Sequence, residues 1–234
     1  MTDYPREHWK DFLRRLSIKQ GEHTLIIGPT SSGKTELARQ VIDTTRDGYV
    51  MGLFVKGKDK TADDEWLTHG WERLTDFPKR GMNEKQRRVV IWPTLSKTAE
   101  DTQDRQRDVY KRALDWANYV GNVAVYCDET AYLVEALRLG RQVNQLFYLA
   151  RSNGTSAYAT MQRPKFVPRV LMSNSSHAFI ARTTDRDDIK RLSDLGGGNA
   201  RELEHNMMRL NDRHDFIYVN PLGDAPPSIV NTRR

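Results

Sequence analysis

Apolar positions along this chain fall into two periods. Trp9, Phe12, Leu13 and Leu16 stand at i, i+3, i+4 and i+7, which predicts an amphipathic helix over residues 5–17. Short apolar runs bounded by turn residues predict strands at Thr24–Ile27, 49–55, 88–92, Val123–Cys127, Ser156–Met161, 177–183 and Asp215–Val219. Helical periodicity fills the intervals at 33–45, 99–119, 131–139 and 143–150. In the first of these Leu37, Val41 and Ile42 point inward; in the second Val109, Ala113, Trp116 and Val120 make one face. Residues 56–88 are polar and basic, with aromatic islands at Trp66, Trp71 and Phe77, and read as one short helix between two loops. Beyond Pro221, the pair Pro226 and Pro227 predicts an extended or loose tail.

Strands alternating with helices imply an α/β fold: a mostly parallel sheet covered by helices on both faces and joined by right-handed crossovers. The expected division is an N-terminal amphipathic helix over 1–20, one α/β domain over 21–220 and a C-terminal tail over 221–234. At 234 residues a second full domain would be a squeeze. No apolar run reaches the roughly 18 residues of a membrane helix, and the first residues hold no apolar signal core, so a cytoplasmic protein (host cytoplasm if viral) is expected. The single cysteine, Cys127, excludes an internal disulfide framework and reads as core filler. Six histidines without Cys/His ligand spacing predict no structural zinc; His177 and His214 read as edge or capping residues opening their strands. A formal charge of +6 permits contact with a polyanion without requiring it.

The chemistry is concentrated at residues 28–35. Gly28-Pro29-Thr30-Ser31-Ser32-Gly33-Lys34-Thr35 matches the phosphate-loop pattern in full, between a predicted strand and a predicted helix. Its glycines let backbone N–H groups close around phosphate oxygens, and the helix start adds the positive end of its dipole. Lys34 supplies a charge to the phosphates, and the Thr35 hydroxyl is placed to ligate Mg²⁺. Asp128 and Glu129 end the most apolar strand, where acids are costly unless they face an ion or water. Asp128 suits Mg²⁺ held through water, and Glu129 suits a general base for the attacking water. A small-molecule kinase excludes water, whereas a glutamate in this place makes hydrolysis the reaction. The strand at 88–92 fits between the others, as in the glutamate-containing division of P-loop proteins.

Further on, Arg151, Gly154, Thr160, Gln162, Arg163 and Pro164 form an Arg…Gly…Thr-x-Gln-Arg-Pro segment. In it the chain resembles the FtsK–HerA superfamily of DNA-pumping ATPases. One residue, Met161, separates Thr160 from Gln162, a departure from the family pattern. The resemblance continues through His177–Arg182 and Asp185–Leu192 and covers about residues 24–192. It implies a RecA/FtsK-like P-loop fold, ATP and Mg²⁺ as cofactors, and Gln162 as sensor of the γ-phosphate. It also implies that Arg151 serves the nucleotide of a neighbouring subunit, with Arg138 and Arg141 as rivals. Among members the chain is most similar to the compact genome-packaging ATPases of bacterial viruses. The implied partners are double-stranded DNA, further copies in a homo-oligomeric ring and a capsid portal or procapsid vertex, with no membrane. Pore contact with DNA falls to the basic loops holding Lys56, Lys58 and Lys60 and, before the next strand, Lys79 and Arg80. Tyr4 or Trp9 is available to stack on adenine. Alternatives are a conjugation or phage-assembly ATPase, a P-loop kinase, and a nucleotide-gated switch.

Overall fold

The computed structural model describes residues 1–45, 48–166, 168–193, 195, 199–223 and 225–233, with the backbone alone at 150, 151 and 166. Along the chain come β1 (Arg6–Glu7), α1 (Trp9–Arg15), β2 (Thr24–Ile27), α2 (Lys34–Ile42) and β3 (Tyr49–Leu53). Next are α3 (Lys60–Trp66), β4 (Glu72–Leu74), β5 (Arg88–Ile91), α4 (Ala99–Val120) and β6 (Val123–Cys127). Then follow α5 (Thr130–Glu135), α6 (Gly140–Asn153), β7 (Ser156–Met161), α7 (Arg169–Asn174) and β8 (His177–Ala181). The last are α8 (Arg186–Leu192), α9 (Ala200–Met208), β9 (Asp215–Val219) and β10 (Ser228–Asn231).

The strands join in one sheet ordered β1-β10-β9-β8-β2-β7-β6-β3-β5-β4. From β8 to β4 every pairing is parallel; β9 and β10 add antiparallel pairings, and β1 runs parallel to β10. Strands β2, β6, β7 and β8 are buried at every residue, as a sheet covered on both faces requires. One face packs under α4 and α6 through Val109, Ala113, Leu114, Leu146 and Phe147. The other packs under α1 and α2 and carries an aromatic cluster of Phe54, Trp66, Trp71, Trp92 and Tyr126. Long helix α4 begins where Thr98 Oγ1 accepts from the Asp101 amide at 3.0 Å, an N-cap that the apolar period alone does not reveal.

Three expectations need correction. The strand at 88–92 does not separate the phosphate-loop strand from the acidic one: β5 lies between β3 and β4, and β7 is the strand between β2 and β6. The tail is not loose. Ile229 and Val230 are buried, and β10 completes the sheet against β9. Two buried apolar residues between polar ones are too short a signal to read as a strand. Glu72–Leu74 was hidden in the basic stretch for the same reason; it is an edge strand whose Glu72 and Arg73 are exposed.

Asp215, at the start of β9, ties these additions together. Its carboxylate accepts from Asn231 Nδ2 at 2.8 Å, the Asn211 amide at 2.9 Å and Arg6 Nη1 at 3.1 Å. Burial raises its pKa, but these donors outweigh burial and hold it below the ordinary carboxylate value. A depressed folded pKa contributes stability above the unfolded value of about 3.9 that is lost as pH falls through the folded one. Asp215→Asn is therefore expected to cost about 1–3 kcal/mol at pH 7. Denaturant melts across pH should show the gap to wild type closing below about pH 4.

Candidate nucleotide site

Because β2, β3, β6, β7 and β8 are parallel, their C-terminal ends open on one edge of the sheet. That edge gathers the phosphate loop, Lys56, Asp128 with Glu129, and Gln162. The antiparallel strands β9 and β10 deliver the start of one and the end of the other to the same edge, so Arg213, His214 and Arg233 arrive there too.

Gly28 continues the ladder, its amide donating to the Met161 carbonyl at 3.0 Å. A Cβ there would stand 2.5 Å from that of Ala181, so the close approach of β2 and β8 demands glycine. Gly33 caps α2 with a φ of 86°, the left-handed region, and a Cβ on it would meet His214 Nδ1 at 2.5 Å. Pro29, Thr30 and Ser31 are exposed at the crest of the loop, and Ser32 is buried beneath it. Lys34 is buried, with Nζ donating to the carbonyls of Gly28 and Pro29, both at 2.8 Å. Burial pulls its pKa down, and the negative charges of Glu129 and Asp128 oppose that.

A cleft of about 350 Å³ is lined by Lys34, Thr35, Lys56, Asp59, Asp128 and Glu129, and also by Glu36, Arg213, His214 and Arg233. Asp128 is 5% exposed and accepts from the Tyr126 hydroxyl at 3.2 Å. Its pKa is pushed up to about 6, chiefly by burial; Lys56 pulls down, and Glu129 and Asp59 push up. A buried, under-compensated carboxylate lining the same cleft as Thr35 fits a hard divalent cation such as Mg²⁺, which takes one or two protein oxygens beside water and phosphate. Among the described residues no cluster of three His, Cys, Asp or Glu forms an all-protein metal cage. Cys127, one residue before, has its thiol pushed up to about 12 by burial, in keeping with core filler.

Glu129 adopts a left-handed backbone, φ 53°, uncommon for a residue with a Cβ. Its amide donates to Thr160 Oγ1 at 3.2 Å. Its carboxylate accepts from Gln162 Nε2 at 2.9 Å, and Gln162 Oε1 accepts from the Thr30 hydroxyl at 3.3 Å. The two partners fix the amide orientation, since a carboxylate needs a donor and a hydroxyl can give one. Phosphate loop, glutamine and glutamate thus form one polar chain across β2, β7 and β6. The residue between Thr160 and Gln162 lets this happen: Thr160 turns to the backbone of β6 while Gln162 clears the strand end.

Arg151 lies in the last turn of α6, and its side chain falls outside the described residues. The Asn153 carbonyl accepts from the Asn122 amide at 2.9 Å, which places this turn where β6 and β7 begin, at the edge opposite the phosphate loop. Arg138 and Arg141 are exposed around the start of α6. Lys58 and Lys60 are exposed on the loop and first turn after β3. Lys79 and Arg80 are exposed as well, but on another edge: Gly81 packs on Trp116 near the end of α4, beside the start of β6. The structure therefore separates the two basic loops and sets Lys56, also exposed, on the lining of the cleft.

Tyr4 and Trp9 are 5% and 4% exposed, and neither offers a ring face to a ligand. His177 is not an edge residue. It is buried inside β8, with Nε2 3.0 Å from Glu22 and Nδ1 2.9 Å from the Tyr218 hydroxyl; burial lowers its pKa against the pull of Glu22. Among the described residues His214 makes no capping bond: its ring covers Gly33, and Nε2 accepts from Arg213 Nε at 3.0 Å. Arg213, His214, Arg233, Glu36, Asp59 and Thr61 line the site without a site role assigned from sequence. No local signal marks the first three, which reach the cleft only through sheet pairing. A larger cleft, about 770 Å³, lies behind the loop crest beside Gln162, Arg182 and Asp185, away from Asp128 and Lys34.

A central phosphate-loop strand, an acidic strand two places away and a glutamine strand between them define a P-loop ATPase fold, the one expected from the FtsK–HerA resemblance. Solved structures agree. The chain is similar to B204, the DNA-packaging ATPase from Sulfolobus Turreted Icosahedral Virus, with TM-score 0.60 and 14% identity over 91% of this chain and 98% of that one. It is also similar to the genome packaging NTPase B204 of Sulfolobus turreted icosahedral virus 2 in complex with ATP-γ-S (TM-score 0.58, 12% identity, 89% and 95% covered). VirB4 of Thermoanaerobacter pseudethanolicus aligns with TM-score 0.60 at 9% identity, covering 89% of this chain and 88% of that chain. No protein-family model and no curated protein matches the sequence. Among the described residues no helix is long and apolar enough to cross a membrane.

Proposed function

We propose that this chain hydrolyses ATP with Mg²⁺ and uses the cycle to move double-stranded DNA, packaging a viral genome into a capsid. The observation that carries the reading is the Thr30–Gln162–Glu129 chain. It couples the loop that would hold the γ-phosphate to a carboxylate one residue past Asp128. When the γ-phosphate competes for Thr30 and the Gln162 amide, Glu129 is released to orient and deprotonate water. Thr35 and Asp128 would hold Mg²⁺, which shields phosphate charge when bound. Lys34 would exchange its two loop carbonyls for phosphate oxygens. Likeness over nearly the whole length of a packaging ATPase supports the motor reading.

Arg151, at the edge opposite its own phosphate loop, has a role in turnover only if a second copy brings a cleft to it. That supports a homo-oligomeric ring, docked on a capsid portal or procapsid vertex. In such a ring Lys58 and Lys60 would meet DNA phosphates near the nucleotide edge, and Lys79 with Arg80 at the other edge. The test is steady-state ATP turnover with and without long double-stranded DNA at low salt. Stimulation of about tenfold or more, fading as salt rises, is expected for a DNA-driven motor. Turnover indifferent to DNA would sink the translocase and leave a kinase or switch.

A further inference from the structure

We propose that Lys56 is a second catalytic cation of the cleft, contacting the γ-phosphate from the side opposite Lys34. This rests on the ATP-hydrolase reading above and reassigns a residue that sequence alone groups with the DNA-binding loop. Lys56 follows β3, whose neighbour β6 carries the acids, so it stands beyond Asp128 and Glu129 as seen from the phosphate loop. It lines the cleft with Lys34, Thr35, Asp128 and Glu129. Its ammonium pairs with Asp59 at 3.2 Å, on the rim of the same cleft.

The backbone behind it is fixed by the core. The Lys56 carbonyl accepts from the indole of buried Trp92. The Val55 carbonyl accepts from Gln106 Nε2 at 2.9 Å, and the Asp128 amide donates to the Leu53 carbonyl at 3.1 Å. Lys56, Lys58 and Lys60 are all exposed, but Lys58 and Lys60 have no ion pair among the described contacts. A side chain meant only for sliding phosphate contact has no need of such anchoring, whereas a cation aimed at a reacting group does.

In the reaction the water oxygen bonds to the γ-phosphorus and its proton goes to Glu129. The bond from phosphorus to the β–γ bridging oxygen breaks, and ADP leaves with the electron pair. Lys56 contributes no atom. It neutralises charge on the γ-phosphoryl oxygens as that bond loosens, a task otherwise left to Lys34, Mg²⁺ and a neighbour's arginine.

The experiment compares wild type, Lys56→Gln, Lys56→Arg, Asp59→Asn and the double variant Lys58→Gln/Lys60→Gln. For each, ATP turnover is measured at saturating ATP and double-stranded DNA, with the Kd of ATP-γ-S and of labelled DNA. Lys56→Gln should lower kcat about 10²–10³-fold. Its Kd values should stay within about threefold of wild type, since one charge among several sets each binding constant. Lys56→Arg should recover part of the loss, and Asp59→Asn, which keeps the cation, should turn over far faster than Lys56→Gln. The double variant should weaken DNA binding, and its loss of DNA affinity is the reference for a residue that only contacts DNA. If Lys56→Gln melts early, Lys56→Met, of similar length and uncharged, takes its place.

Turnover of Lys56→Gln close to wild type, or losses shared equally by Asp59→Asn, would overturn the inference. So would a fall in DNA affinity matching the double variant with kcat unchanged. A wild type that binds ATP-γ-S but never turns over ATP sinks the hydrolase reading and this inference with it. A wild type that turns over alongside an equally active Lys56→Gln sinks this inference alone.

Discussion

Glu129→Gln is expected to lower ATP turnover by about 10²–10⁴-fold, the loss of a positioned general base. Nucleotide should still bind, because the phosphate loop, Lys34, Thr35 and Asp128 are untouched. The substitution is close in shape, so the residue can keep its left-handed backbone and its amide bond to Thr160. What changes is the contact with Gln162: a carboxylate accepting from Nε2 at 2.9 Å becomes an amide that also offers donors. A neutral amide cannot take the proton of water, so the variant should trap the nucleotide-bound state. Single-turnover hydrolysis beside ATP-γ-S binding checks this. Equal turnover in both proteins would remove Glu129 from the chemistry.

Gly33→Ala should act one step earlier, abolishing nucleotide binding and costing stability. A φ of 86° is costly for alanine, about 1–2 kcal/mol. The added methyl would also stand 2.5 Å from His214 Nδ1 on a ring that is 5% exposed and bonded to Arg213. The ring cannot yield without pulling on the start of β9, so the loop must move instead. Backbone N–H groups that converge on a phosphate tolerate little displacement. Binding of ATP-γ-S should fall at least about 100-fold, with a lower melting temperature. His214→Ala should relieve the clash and return part of the melting temperature but not the binding, because the φ penalty stays. Full binding by Gly33→Ala would show that this turn does not hold phosphate.

Elements whose signals are local are legible in the chain before it folds. The phosphate loop is eight consecutive residues, and Val123–Cys127, an unbroken apolar run, and Ser156–Met161, a largely apolar one, have bounds that the structure reproduces. A parallel α/β sheet follows from their alternation with helices, and Asp128 with Glu129 follows from two acids ending the first of those runs. Tertiary structure decided the rest. It placed β7 beside the phosphate-loop strand and sent β5 outward, because strand order depends on which crossovers pack, not on any residue's own preference. It made strands of Glu72–Leu74 and Ser228–Asn231, too short to declare themselves until a neighbour supplies the hydrogen bonds. It set Lys56, still exposed, on the wall of the cleft from a run of lysines that look alike in sequence, since Trp92 and Gln106 hold the backbone behind it. And it carried Arg213, His214 and Arg233 to a loop about 180–200 residues away along the chain, where only the pairing of β8, β9 and β10 brings them.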